Sequence, residues 1–153
     1  MAQNFLEKDL EQIIFETDND YLCDRGLNIC GKKYRQIDLS PYGIPDIITF
    51  ERPFQNYQAI ITIWEFKKDT IGVNTFLQGL RYAKGVKYLL EKNRPFFNKI
   101  ECEFKICLVG KNIELTGSFC FLPDIFTNVS LYTYEYKYDG IDFKDHSDYV
   151  ITK

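Results

Sequence analysis

The sequence predicts a mixed α/β domain. Two stretches, 4–17 and 73–91, carry apolar residues at helical spacing, while short β-branched and aromatic runs between and after them alternate with period two. At 153 residues, 45% hydrophobic and 16% aromatic, the chain has the length of one domain and the composition of a packed core, which excludes disorder. No repeat, low-complexity tract or boundary divides it, so residues 1–153 are expected to form a single domain, a central mixed sheet flanked by helices.

In the first helix, 4–17, Leu6, Leu10, Ile13 and Ile14 make one stripe, with Asn4 as candidate cap and acids in the first turns. Glu7 lies at the edge of that stripe beside Ile14, whereas Glu11 and Glu16 turn further toward solvent. If any acid of this helix reaches the interior it is Glu7, the alternative being a solvated acid favoured by the helix dipole. Residues 18–33 read as a polar, glycine-containing connection, and 34–39 as a strand before the turn SPYG. Lys32, Lys33 and Arg35 form a small basic cluster there, suited either to solvent or to phosphate.

The most informative stretch follows. Residues 47–50 and 57–66 are β-branched, apolar runs, and 51–56, with Pro53 and Asn56, supply the turn of a hairpin. Because side chains alternate along a strand, Ile61, Ile63, Glu65 and Lys67 share one face, and Thr62, Trp64, Phe66 and Lys68 the other. A carboxylate ending an apolar strand is costly to bury unless it is paired or holds a cation. Asp46, at the mouth of the preceding strand, is placed to share that cation, with Lys67 beside both. All three are expected on the sheet's edge.

Residues 69–72 turn the chain into the second helix, 73–91, whose main apolar face is Phe76, Leu80 and Ala83. Gln78 and Tyr82, four apart, are neighbours on a face turned away from that stripe. Arg81, Lys84 and Lys87 add positive charge to the helix. Pro95 lies in the stretch 93–100 that ends the helical region, 104–109 reads as a buried strand closed by Gly110, and 123–128 as a turn. In LYTYEYKYDGIDF, Tyr132, Tyr134, Tyr136 and Tyr138 alternate before the hairpin signal Asp139-Gly140. Such a ladder can stack on bases, but sheet packing under another element is its commoner use.

The net charge of −3 lacks the basic footprint of a general nucleic-acid binder, although basic groups confined to a cleft are compatible with it. Five cysteines without a CxxC pair, and a single histidine, His146, argue against a zinc site and against Ser-His or Cys-His catalysis. With no apolar run long enough to span a membrane and no signal-peptide pattern, the reading is a reduced, cytoplasmic protein with no membrane partner.

GIPD, WEFK and QGLRY together resemble the motifs of the PD-(D/E)XK nuclease superfamily, most closely the GxxD, ExK and QxxxY set of its RecB-like branch. Pro45-Asp46 matches the PD element, Glu65-Phe66-Lys67 the ExK element, and Gln78 to Tyr82 the helical QxxxY element; EKDLEQII is similar to the family's first helix, whose glutamate corresponds to Glu7. The resemblance covers about half the chain. It implies a restriction-endonuclease-like core and metal-dependent hydrolysis of phosphodiester bonds, with DNA ahead of RNA as substrate; a domain this small is expected to need a homodimer, an accessory domain or a protein partner to define its target. Mg²⁺ or Mn²⁺ would be held by Asp46, Glu65 and the carbonyl of Phe66, with Glu7 joining. Lys67 would serve the attacking water and the phosphate, and Gln78 and Tyr82 would position the site. Lys32, Lys33, Arg35, Arg81 and Lys84 are the candidates for contacting nucleic acid. Two other classes stay open: a catalytically silent binding or interaction module on the same fold, and an unrelated α/β domain in which Glu65 and Lys67 are a structural ion pair.

Overall fold

The computed structural model describes residues 7–52, 58–92, 101–114, 119, 126 and 128–146. In chain order the elements are α1 (Glu7–Glu16), α2 (Asn19–Asp24), β1 (Lys32–Arg35), β2 (Ile47–Glu51), β3 (Gln58–Phe66), β4 (Thr70–Ile71), α3 (Val73–Lys92), β5 (Glu101–Gly110), β6 (Asn112–Ile113), β7 (Val129–Lys137) and β8 (Gly140–Asp145). Six strands form one mixed sheet in the order β1-β2-β3-β5-β7-β8, and β4 pairs with β6 beside it.

The strands β1, β2 and β3 run antiparallel as a meander; β3, β5 and β7 run parallel; β8 returns antiparallel to β7. Helix α3 is the crossover that two parallel neighbours require. Strand alternation then sorts the core into two layers. Ile47, Trp64, Phe66, Val109, Tyr132 and Phe143 pack against Leu10 and Ile14 of α1 and Leu22 of α2. On the other face, Ile48, Ile61 and Ile63 pack against Tyr82 and Val86 of α3. Ile61 and Ile63 fall on one face of β3 and Trp64 and Phe66 on the other, as expected.

Several elements depart from the sequence reading, each for a local reason. The strand expected at 34–39 is β1, Lys32–Arg35, because Gln36 takes a left-handed backbone (φ 57°) that ends the extended run. The connection 18–33 contains α2, capped by Asp18, whose carboxylate accepts from Asp20 N at 3.2 Å; six residues are too few to show a period. Strand β5 begins at Glu101, three residues earlier than expected, because it pairs with the whole of β3 from Gln58↔Glu101 to Phe66↔Val109.

The buried stripe of α3 is Thr75, Gly79, Tyr82, Gly85 and Val86; of the expected face, Phe76 and Ala83 are partly buried against the core, while Leu80 is 44% exposed and is corrected. The helix closes on the sheet through its small residues: a β-carbon at Gly79 would lie 2.8 Å from Ile106 Cγ2, and one at Gly85 2.9 Å from Tyr42 Cβ. In α1 the stripe is Leu10 and Ile14, Ile13 is exposed, and the buried acid is Glu11 rather than Glu7. The tyrosine ladder divides: Tyr132 and Tyr134 are covered, Tyr136 is half exposed and Tyr138, in the turn, is fully exposed.

The candidate cap Asn4, the stripe residue Leu6, Pro53 and Asn56 of the expected hairpin turn, the stretch 93–100, and most of 123–128 lie outside the described residues. Among the described residues, no helix is long and apolar enough to cross a membrane.

Candidate active site

Antiparallel pairing of β2 with β3 runs from Glu51↔Ile60 to Ile47↔Trp64, and one step further it sets Asp46 opposite Glu65. The backbone completes that pair: Asp46 N donates to Glu65 Oε1 at 3.3 Å, and Phe66 N donates to Asp46 Oδ2 at 2.9 Å. Since β3 lies between β2 and β5, the acids stand at the end of central strands, and the expected position on the sheet's edge is corrected. The residue types of the sheet require this. A strand with neighbours on both sides keeps its apolar residues covered to the last position, and Glu65 inherits that environment with only 3% of its surface exposed.

Burial drives the electrostatics of the pair. The Glu65 carboxyl is pushed well above the usual carboxylate range, first by loss of water and then by the charge of Asp46; the amide of Asp46 and the ammonium of Lys67 oppose the shift. Asp46 is raised as well, first by burial, with Glu11 and Glu7 adding to the shift and Phe66 N and Lys67 resisting it. Lys67 thus acts on both acids. Its own N–H donates to Val109 O at 2.8 Å, which fixes the residue to β5 just past the end of β3. Among the described residues, no ion pair joins Glu65 to Lys67 or to any other cation.

From the other layer, α3 brings Tyr82. Gln78 Nε2 donates to Tyr82 Oη at 2.6 Å. Burial raises the phenol's pKa, and Glu65 and Asp46 raise it further, so the hydroxyl stands in the field of both carboxylates. Tyr82 is on the buried side of α3, not turned away from it as the larger apolar residues suggested. Its ring lies against Gly43, where φ is 109° and a β-carbon would sit 2.8 Å from Cε1. The glycine of GIPD and the tyrosine of QGLRY are therefore parts of one contact.

From the first layer, α1 brings Glu11, 7% exposed, which accepts from Arg35 Nε at 3.1 Å. Glu11, Arg35 and Asp46 line a cavity of about 540 Å³ together with Glu7, Lys8, Gln36 and Lys68. Glu7 is exposed but sits in this wall. Helical periodicity missed Glu11 because its partner comes from β1, 24 residues away, and that contact tilts the buried side of α1 toward it. Lys68, expected to point away from the site, shares the cavity with Asp46; the chain leaves the sheet after Phe66, so alternation no longer governs it.

The basic candidates are scattered. Lys33 Nζ donates to the carbonyls of Ile14 (2.9 Å) and Thr17, closing the C-terminal end of α1, and burial lowers its pKa. Lys32, on the opposite side of β1, lies over the ring of Tyr34 at 5.3 Å, so strand alternation splits the cluster read at 32–35. Arg81 and Lys84 are exposed on the outer side of α3.

Among the described residues, no group of three or more His, Cys, Asp or Glu is arranged to hold a metal. Asp46, half-buried, and Glu65, buried, are nonetheless two hard oxygen donors side by side, Glu65 has no cationic partner among the described residues, and the carbonyl of Phe66 belongs to the residue between Glu65 and Lys67. That set fits Mg²⁺ or Mn²⁺, which take one or two carboxylates and keep waters. No family model, curated protein or solved structure matches this chain.

Proposed function

We propose that this protein is a Mg²⁺- or Mn²⁺-dependent nuclease that hydrolyses phosphodiester bonds, DNA before RNA, on a restriction-endonuclease-like core of the PD-(D/E)XK kind. The observation that carries the reading is the pairing of Asp46 with Glu65, held by Asp46 N on Glu65 Oε1 and Phe66 N on Asp46 Oδ2, with Lys67 next but one along the chain from Glu65. Buried acids held together without a cation of their own work against folding, and a site that binds one explains their placement.

In this reading Asp46, Glu65 and the carbonyl of Phe66 hold the cation. The bound ion supplies Lewis acidity, lowering the pKa of water and stabilising charge that develops on the phosphoryl oxygens. Lys67 orients the attacking water and neutralises charge on the pentacovalent phosphate. Tyr82, steadied by Gln78, fixes the carboxylate end of the site and the strand lying over it. A homodimer or protein partner defines the target, in a reducing, cytoplasmic setting that suits the free thiols of Cys23, Cys30, Cys102 and Cys107.

A second reading, a silent binding module on the same fold, draws on the acidic balance of −3 and on the scattered lysines. Incubation of the purified protein with single-stranded and plasmid DNA, with Mn²⁺ or with EDTA, separates the two. Mn²⁺-dependent cleavage that disappears in Asp46→Ala supports the nuclease; DNA binding without cleavage supports the module.

A further inference from the structure

The pair Glu11–Arg35 is incompletely built. Arg35 reaches Glu11 through Nε alone, at 3.1 Å, and its guanidinium carbon lies 5.4 Å from the centre of the Phe15 ring, which holds the plane in place. Among the described residues, neither Nη group donates to a protein acceptor, so that edge of the fork is open toward the cavity it lines with Asp46. An arginine with one side satisfied and two donor groups free is suited to the paired oxygens of a phosphate.

Glu11 is in the opposite condition. It is buried, it lines the same cavity as Asp46, and Arg35 is its cationic partner. A buried carboxylate that loses its partner is strongly destabilised until another cation replaces it. The other ion pairs of the described residues tie Arg25 and Lys137 to Asp139 and Asp142 of the β7–β8 hairpin, which leaves Arg35 as the cation paired with Glu11 among the described residues.

Resting on the nuclease reading of this site, we propose that Arg35 is a phosphate-binding residue whose transfer from Glu11 to a substrate phosphodiester frees Glu11 for the divalent cation, so that nucleic acid and cation bind with positive coupling. Without nucleic acid, Arg35 keeps Glu11 occupied, and the cation finds Asp46 and Glu65 alone. With a phosphate on Arg35, a third carboxylate joins them. Coupling of this kind is reciprocal: whatever factor the strand adds to cation affinity, the cation adds to strand affinity.

Calorimetric titration of Mn²⁺ into the full chain, with and without a short single-stranded phosphorothioate DNA, tests the proposal. In the wild type the DNA is expected to tighten Mn²⁺ binding about tenfold, within the usual range of such couplings. An uncharged methylphosphonate strand of the same sequence is expected to add nothing. In Arg35→Met, Mn²⁺ binds the free protein more tightly than in the wild type, and the increment from DNA disappears; Arg35→Lys retains part of it. Glu11→Gln, which keeps a neutral acceptor for Arg35 and preserves the fold if Arg35→Met does not, also loses the increment. An increment that persists in Glu11→Gln or Arg35→Met, an equal increment with the methylphosphonate strand, or none in a wild type that binds Mn²⁺ overturns the coupling and leaves the nuclease reading standing. A wild type that binds no Mn²⁺ overturns both.

Discussion

The ring of Tyr82 fills the space in which a side chain at Gly43 would begin: a β-carbon at that position would stand 2.8 Å from Cε1 of the tyrosine. A residue of the loop before β2 and one in the middle of α3 are in this way held in one contact on the helix side of the two acids. Gly43→Ala meets two obstacles, a left-handed φ of 109° and the tyrosine ring, and is expected to destabilise the protein by about 2 kcal/mol. Thermal unfolding checks it. In a Tyr82→Ala background the same change should cost less, since only the backbone strain remains, and an equal cost would show that the ring is not the obstacle.

Stability of the cation-free protein is expected to fall as pH rises. Asp46 and Glu65 have folded pKa values above their unfolded ones, so the folded state binds protons more tightly. That contribution is complete below the ordinary carboxylate range, near pH 4, and is lost as pH climbs through the raised folded values. Melting temperatures in EDTA between pH 5 and pH 8, about the working range of most buffers, should therefore decline, and less steeply in Glu65→Gln. A flat or rising profile in wild type would mean that the two acids are ionised without cost.

Saturating Mn²⁺ should reverse that trend, because a cation that replaces the protons binds better as the acids ionise. Melting temperature is expected to rise on adding Mn²⁺ at pH 8 more than at pH 5, about the two ends of that range. The effect should vanish in Asp46→Ala combined with Glu65→Ala; a shift that survives the double change places the cation elsewhere.

Lys67→Ala is expected to lower Mn²⁺-dependent cleavage by about 10²-fold or more while leaving the fold intact, since removing a positioned charge stabiliser costs on that order. Lys68 lines the same cavity as Asp46 and is not a neutral comparison; Lys87, exposed on α3, is one. Cleavage unchanged in Lys67→Ala but lost in Lys87→Ala would remove Lys67 from its role.

What could be read from the sequence was what depends on near neighbours. Alternation sorted Ile61 and Ile63 from Trp64 and Phe66, and the hairpin pairing of β2 with β3 brought Asp46 opposite Glu65, because strand period and register follow from adjacent residues. The burial of Glu11 could not be read, since it depends on Arg35 from another element. The buried side of α3 was misjudged because bulk apolar residues mark a helix face only when the helix sits at ordinary distance from its sheet; here Gly79 and Gly85 bring it closer, and Leu80 is left outside. The end of β1 at Arg35 turned on a single left-handed residue, Gln36, which carries no strong turn signal of its own.

The central placement of β3 divides the labour of ligand binding unequally. Glu65 is anchored between strands on both sides, in the part of a sheet that opens last when a protein breathes, and Asp46 is hydrogen-bonded to that same strand at Phe66. An arriving ligand therefore finds two oxygens ready-made and has nothing to organise there. All adjustment falls to the opposite wall, supplied by a ten-residue helix and a four-residue border strand, where one side-chain rotation of Arg35 is enough to change the charge presented. Selectivity among strands would accordingly be altered by substitutions in that wall, and the chemistry by substitutions in the centre, so the two properties should be separable by mutation.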